Sequence, residues 1–165
     1  MPTAAQQLVR TLRRLDVDRV FCVPGESYLP ALDALADDAG IDLVPCRHES
    51  GAGLMAVADA KMTDRPGVAF VSRGPGATNA ALAVHTAEQD GAPLVLVIGQ
   101  LPRENLTRGV FQKIDYERTF SDMAKWTVEV HDSGRLPETA AGSFRVARGG
   151  TPCPVFITVP DDVFD

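Results

Sequence analysis

The chain has little of what marks the specialised protein classes. Its three cysteines, Cys22, Cys46 and Cys153, are odd in number, lie in or beside apolar segments and show no metal-ligand spacing. That pattern speaks against a disulfide framework or a zinc site and for buried, reduced thiols. Positive charge is also scarce: 16 Lys and Arg face 22 Asp and Glu, for a net charge of -6. The modest group Arg10, Arg13, Arg14 reads as the solvated face of a helix, so neither nucleic acid nor an anionic membrane surface is an expected partner. No apolar run approaches the length of a bilayer span, and Met1 to Arg10 lacks the charged-then-apolar order of a secretion signal. A cytoplasmic location is the expectation. Internal repeats, low-complexity tracts and interdomain linkers are absent too, and 165 residues with 45 % hydrophobic and 23 % charged content suit a single soluble domain.

What is present is a regular alternation. Short β-branched runs occur at Arg19 to Val23, Asp42 to Cys46, Val68 to Ser72, Leu94 to Gly99, Trp126 to Val130 and Val155 to Val159. Helical patterns are expected near Thr3 to Leu15, Tyr28 to Asp38, Ser50 to Thr63, Thr78 to Gln89 and Leu136 to Ala147. Several strands are almost wholly apolar, as strands covered by helices on both faces must be. The pattern predicts an α/β fold: a doubly wound, six-stranded, mostly parallel sheet with helices on both faces. Leu101 to Asp122 is long, polar and weakly periodic, which predicts a loop with short helical pieces and a functional role.

In such sheets ligands gather outside the carboxyl ends of the strands, and most of the unusual residues fall there. Val23-Pro24-Gly25-Glu26-Ser27 follows the first strand, His48-Glu49-Ser50 the second, Ser72-Arg73-Gly74-Pro75-Gly76-Ala77-Thr78-Asn79 the third and Gly99-Gln100-Leu101-Pro102 the fourth. Glu49 stands where an apolar run gives way to a small-residue helix. A carboxylate held at that rim and partly stripped of water is prepared for proton traffic. The same residue could equally do no more than complement the positive end of the following helix. The Gly-Pro-Gly turn lets backbone approach a ligand, with Thr78 and Asn79 as polar contacts, or it is a helix-entry turn with Thr78 as cap. It has neither the Gly-Lys-Ser/Thr ending of a Walker loop nor the spacing of a dinucleotide fingerprint. His85 and Glu88 lie three apart without a third ligand nearby and read as a surface pair. Ser50 and Ser72 sit in no nucleophile elbow. His48 has a supporting role at most, and Trp126 and Phe156 are expected in the core.

Taken together, Pro24-Gly25, Arg47-His48-Glu49, Gly74 to Asn79, Phe111-Gln112, Pro152-Cys153-Pro154-Val155 and Val159 to Val163 resemble the pyrimidine-binding domain of thiamine-diphosphate enzymes, in the acetolactate synthase and 2-oxo-acid decarboxylase group. The resemblance covers nearly the whole chain. It implies that Glu49 hydrogen-bonds N1′ of the aminopyrimidine ring and drives the amino-to-imino tautomerism that prepares thiazolium C2 for attack on a 2-oxo acid. It also implies catalytic roles for Glu49 and Gln112, cofactor contacts from Pro24, Gly25, Pro75, Asn79 and Gln112, and a substrate-facing Phe111. The cofactor would supply the electron sink and the protein its orientation.

Two departures from the family pattern bear on cofactors and partners. Thr151 stands where acetolactate synthases carry an Arg that helps bind FAD, so FAD is not expected. The Gly-Asp-Gly and Asn that hold magnesium and the diphosphate are absent from these residues, so Mg2+ would be held by another domain or subunit. The chain is therefore expected to be inactive alone and to need a diphosphate-binding partner. It is expected to form homodimers or higher oligomers, through small-residue helices that include Gly53, Ala56 and Ala83 or else bury them against the sheet. Three alternatives are a non-catalytic or regulatory homologue, a subunit of a split 2-oxo-acid decarboxylase, and a flavodoxin-like nucleotide binder.

Overall fold

The computed structural model describes residues 1–165. Six strands, β1 (Arg19–Cys22), β2 (Asp42–Pro45), β3 (Gly67–Val71), β4 (Leu94–Gln100), β5 (Trp126–Glu129) and β6 (Val155–Pro160), form one sheet in the order β2-β1-β3-β4-β6-β5. Every adjacent pair is parallel, so the sheet is wholly rather than mostly parallel. Helix α1 (Ala4–Arg14) precedes β1, and between the strands run α2 (Leu29–Ala36), α3 (Glu49–Thr63), α4 (Pro75–Asn79), α5 (Ala81–Gln89), α6 (Tyr116–Phe120) and α7 (Leu136–Arg148).

Two cores sandwich the sheet, and strand alternation distributes residues between them. On one face Val20, Cys22, Val68, Phe70, Val95 and Val97 meet α1, α2 and α7. On the other Phe21, Ala69, Val71, Leu94, Leu96 and Ile98 meet α3, α4, α5 and α6. This is why β3 and β4 are apolar at successive positions. Phe156 is fully buried, whereas Trp126, expected in the core, is only partly covered because β5 is an edge strand.

Local chemistry sets the helix ends. Thr3 and Gln6 form a reciprocal capping box at α1, each side chain accepting the other's backbone N–H at 3.2 Å. Arg10, Arg13 and Arg14 lie on its exposed face. The expected helix from Thr78 to Gln89 is instead two helices that begin earlier, at Pro75, and break at Ala80, whose ψ is -8°. Thr78 is not a cap; it lies inside α4 and donates to the Pro75 carbonyl at 3.0 Å. The segment from Leu101 to Asp122 contains only a short turn at Arg103–Asn105 and α6.

All three cysteines are free, and only Cys22 is fully buried. Burial pushes the Cys22 thiol up to about 11. No helix is long and apolar enough to cross a membrane. Chain direction across the sheet reverses between β1 and β3: β2 lies outside β1, and β3 returns to its other side. The crevice at the carboxyl ends of β1 and β3 is where such a fold binds ligands.

Candidate functional site

Three loops meet at that crevice. After β1, Gly25 lies so close to the loop after β3 that a Cβ on it would stand 2.8 Å from Ser72 Cβ. Ser27 and Ser72 share a hydroxyl hydrogen bond of 2.8 Å, and the Arg73 N–H donates to Ser27 Oγ at 3.3 Å. After β2, His48 caps α3, its Nδ1 accepting the Ser50 N–H at 3.2 Å, which leaves Glu49 as the first helical residue. Glu49 reaches across to the third loop: its Oε2 accepts from Asn79 Nδ2 at 3.0 Å. Ser50 Oγ donates to the Asn79 carbonyl, tying the same two elements a second time.

The turn after β3 has a specific shape. Gly74 has φ +59° and ψ -114°, and the Gly76 N–H bonds back to the Arg73 carbonyl at 3.4 Å. A residue with positive φ at the first central position of a turn is best filled by glycine. Pro75 then opens α4 with its φ already set. Gly76 lies beneath Glu49: a Cβ there would sit 3.2 Å from Oε1. Oε1 itself has no hydrogen-bond partner, and Glu49 is partly exposed rather than fully buried.

Gln112 enters from the long segment after β4. Its φ is +65°, and its Cβ approaches the ideal Cβ position of Gly74 to 2.9 Å. Phe111 beside it is 85 % exposed. Pro24 is also exposed, and its ring lines a shallow apolar groove with Leu29, Pro30, Leu32 and Leu43. Gln100, at the end of β4, turns away from the cluster: its Nε2 donates to Glu129 Oε2 at 3.3 Å and its Oε1 accepts the Leu101 N–H at 2.9 Å. The structure therefore gathers Glu49, Asn79, Pro75, Gly76, Gly25 and Gln112 around one turn and leaves Phe111 and Pro24 at its margins.

With this geometry in view, comparison with known proteins is decisive. Residues 2–119 match the family described as thiamine pyrophosphate enzyme, N-terminal TPP binding domain. The chain belongs to that family. The domain is 37 % identical over 150 residues to the mitochondrial acetolactate synthase catalytic subunit of Aspergillus candidus, covering 91 % of the chain and 22 % of that protein. It is 36 % identical to the Saccharomyces cerevisiae counterpart, over 98 % of the chain and 23 % of that protein. Against the Escherichia coli acetolactate synthase isozyme 1 large subunit it is 35 % identical, over 98 % of the chain and 29 % of that protein. The chain thus spans under a third of the length of these curated relatives.

The residue of this TPP-binding domain that sequence reading overlooked is Tyr116; Ser27 and Arg73, placed by the sequence in the loops after β1 and β3, bond to each other across the crevice. Tyr116 is buried, and its hydroxyl accepts the Gly74 N–H at 2.9 Å. Its signal was an aromatic residue directly after Asp115, which caps α6 by accepting the Arg118 N–H at 3.0 Å. The Arg73 guanidinium donates through Nη2 to Glu26 at 2.6 Å, while Nε and Nη1 are shielded from water without an acceptor. His85 is exposed, and no group of three His, Cys, Asp or Glu side chains is placed to hold a metal ion.

Proposed function

We propose that this domain is the pyrimidine-binding part of a thiamine-diphosphate enzyme acting on a 2-oxo acid, in the manner of an acetolactate synthase or a decarboxylase. The observation that carries the reading is the Glu49 carboxylate, fixed at one oxygen by Asn79 and free at the other above a glycine. A ring nitrogen can approach the free oxygen because Gly76 has no side chain to fill the space. The residues present fit an aminopyrimidine on that ground.

When bound, thiamine diphosphate supplies a thiazolium carbon that becomes a nucleophile toward the 2-oxo group and an electron sink for the bond cleavage. Glu49 is the proposed catalytic residue, holding and exchanging a proton at Oε1 with the ring nitrogen. Asn79 fixes the carboxylate by donating to Oε2, so a single oxygen remains for that exchange. Pro75 and Gly25 form a wall of backbone and ring with little side-chain bulk. Gln112 brings an amide able both to donate and to accept beside the turn, and Phe111 offers an exposed apolar ring to the substrate.

Magnesium and the diphosphate-holding residues are proposed to come from a further domain or subunit, since Mg2+ bridging phosphates takes one or two carboxylate ligands and no Gly-Asp-Gly motif supplies them here. The reading includes no flavin: Thr151, which replaces the expected Arg, is an exposed neutral residue. Self-association is proposed through the outer sides of the adjacent helices α3 and α5, where Leu54, Met55 and Leu82 are 37 %, 42 % and 58 % exposed. A cytoplasmic location completes the proposal. Its test is turnover of 2-oxo acids by the complete enzyme: Glu49→Gln is expected to abolish product formation while leaving the fold intact, and wild-type turnover by that variant would refute the reading.

A further inference from the structure

The segment between β4 and β5 carries Gln112, yet most of its residues are exposed. It is held by Arg103, which donates to the Asp162 carboxylate and the His131 carbonyl, and by α6, whose first and last residues, Tyr116 and Phe120, are 3 % and 1 % exposed. Phe120 packs edge-on against Phe156 of β6, with ring centroids 4.8 Å apart at 74°. That contact anchors one end of the helix by apolar packing alone. Tyr116 is a different case, because it carries a hydroxyl into the interior, where burial pushes the phenol's pKa up. A phenylalanine would fill the same core at lower desolvation cost.

The hydroxyl has a specific partner. It accepts the buried Gly74 N–H at 2.9 Å. Gly74 precedes α4, so its N–H has no helical acceptor and would be orphaned inside the protein without the phenol. Gln112 presses on Gly74 from the side, Cβ to ideal Cβ position 2.9 Å, and both residues hold positive φ. Two residues on, the same turn supports Glu49 through Gly76. One short turn thus touches Gln112 at one end and Glu49 at the other, and Tyr116 is the side chain that fastens it to the Gln112 segment.

We infer that Tyr116 is a positioning residue: its hydroxyl docks the Gln112 segment onto the Gly74 turn and sets Gln112 in register with Glu49 and Asn79. The docking stands on the contacts alone, whereas its value for catalysis rests on the function proposed above. Tyr116→Phe removes one oxygen and leaves the packing. Hydrogen exchange of this chain without cofactor is expected to quicken about tenfold at the Gly74 amide, whose N–H the phenol accepts, and to stay unchanged in β3 and β4. Unchanged exchange at Gly74, or equal acceleration throughout β3 and β4, would overturn the inference.

A kinetic cycle in the complete enzyme gives the second arm. Tyr116→Phe combined with Gln112→Ala is expected to lose no more kcat/KM for the 2-oxo acid than Gln112→Ala alone, since the first change acts through the second residue. Losses that multiply would overturn the positioning role. Failure of the proposed function has a separate signature: wild-type turnover by Glu49→Gln, with Gly74 exchange still accelerated in Tyr116→Phe.

Discussion

Asn79 Nδ2 lies 3.0 Å from Glu49 Oε2 and joins the start of α3 to the end of α4. Both residues lie at helix ends beside the β1/β3 crevice, so the bond closes the site across the point where the strand order reverses. Oε1 is left free, directly above Gly76. The arrangement leaves one carboxylate oxygen bonded and, on the function proposed above, the other available for proton exchange.

Asn79→Ala tests that division of labour. The loss of one hydrogen bond to a partly exposed carboxylate is worth about 1 kcal/mol, or roughly five- to tenfold in rate. The expected outcome is a fall of that size in kcat/KM of the complete enzyme with a melting temperature within about 2 °C of wild type. An unchanged kcat/KM would show that Glu49 needs no such support.

Ala52, Gly53, Ala56 and Ala60 of α3 are buried and serve interior packing, whereas Ala58 is exposed. Ala56, placed by the sequence among candidate exposed interface positions, is fully buried, and a Cβ on Gly53 would stand 2.5 Å from Ala83 Cβ. The close approach of α3 to the sheet and to α5 explains both. Ala56→Glu is therefore expected to destabilise by about 4 kcal/mol or more rather than to dissociate a dimer. Thermal unfolding read beside sedimentation distinguishes the outcomes. Met55→Glu, at an exposed site, is expected to leave the melting temperature nearly unchanged and to raise the self-association constant Kd by at least about tenfold.

Thiol chemistry offers a pH-dependent check on the core. Burial raises the pKa of Cys22 to about 11 and also raises those of Cys46 and Cys153, so each thiolate is suppressed at neutral pH. Because the folded pKa of Cys22 lies above its usual value, its contribution to stability is present at neutral pH and is lost as pH rises toward 11. Alkylation at pH 8 is expected to modify Cys46 and Cys153 slowly and Cys22 only on unfolding. Rapid native labelling of Cys22, followed by mass spectrometry of its peptide, would contradict the burial.

The isolated chain is expected to bind thiamine diphosphate with a Kd above about 10 μM even with magnesium, since most of the ligand's charge lies on the diphosphate, which is proposed to be held by a further domain or subunit. Calorimetry reads it directly. Submicromolar binding would reveal a phosphate site within the domain.

Much of this architecture was legible because the strands are short, β-branched and separated by helical patterns; the predicted Arg19 to Val23 ends only one residue beyond the observed β1. The Glu49 loop and the Gly74 turn were legible for the same reason, lying where apolar runs stop. The break at Ala80 was not, because alanine gives no local stop signal and the interruption comes from the early start of α4 at Pro75. Neither was the Tyr116 contact, since a long-range hydrogen bond to a backbone N–H leaves no periodicity. Trp126 misled because an edge strand covers only part of a large side chain.

The central claim is that Glu49 moves the proton that activates the cofactor, and proton–deuterium exchange at thiazolium C2, followed by NMR in the complete enzyme, tests it most directly. Glu49→Gln keeps the shape and removes the exchangeable acid, so exchange is expected to slow by at least about 100-fold. Wild-type exchange in the Glu49→Gln enzyme would contradict the account.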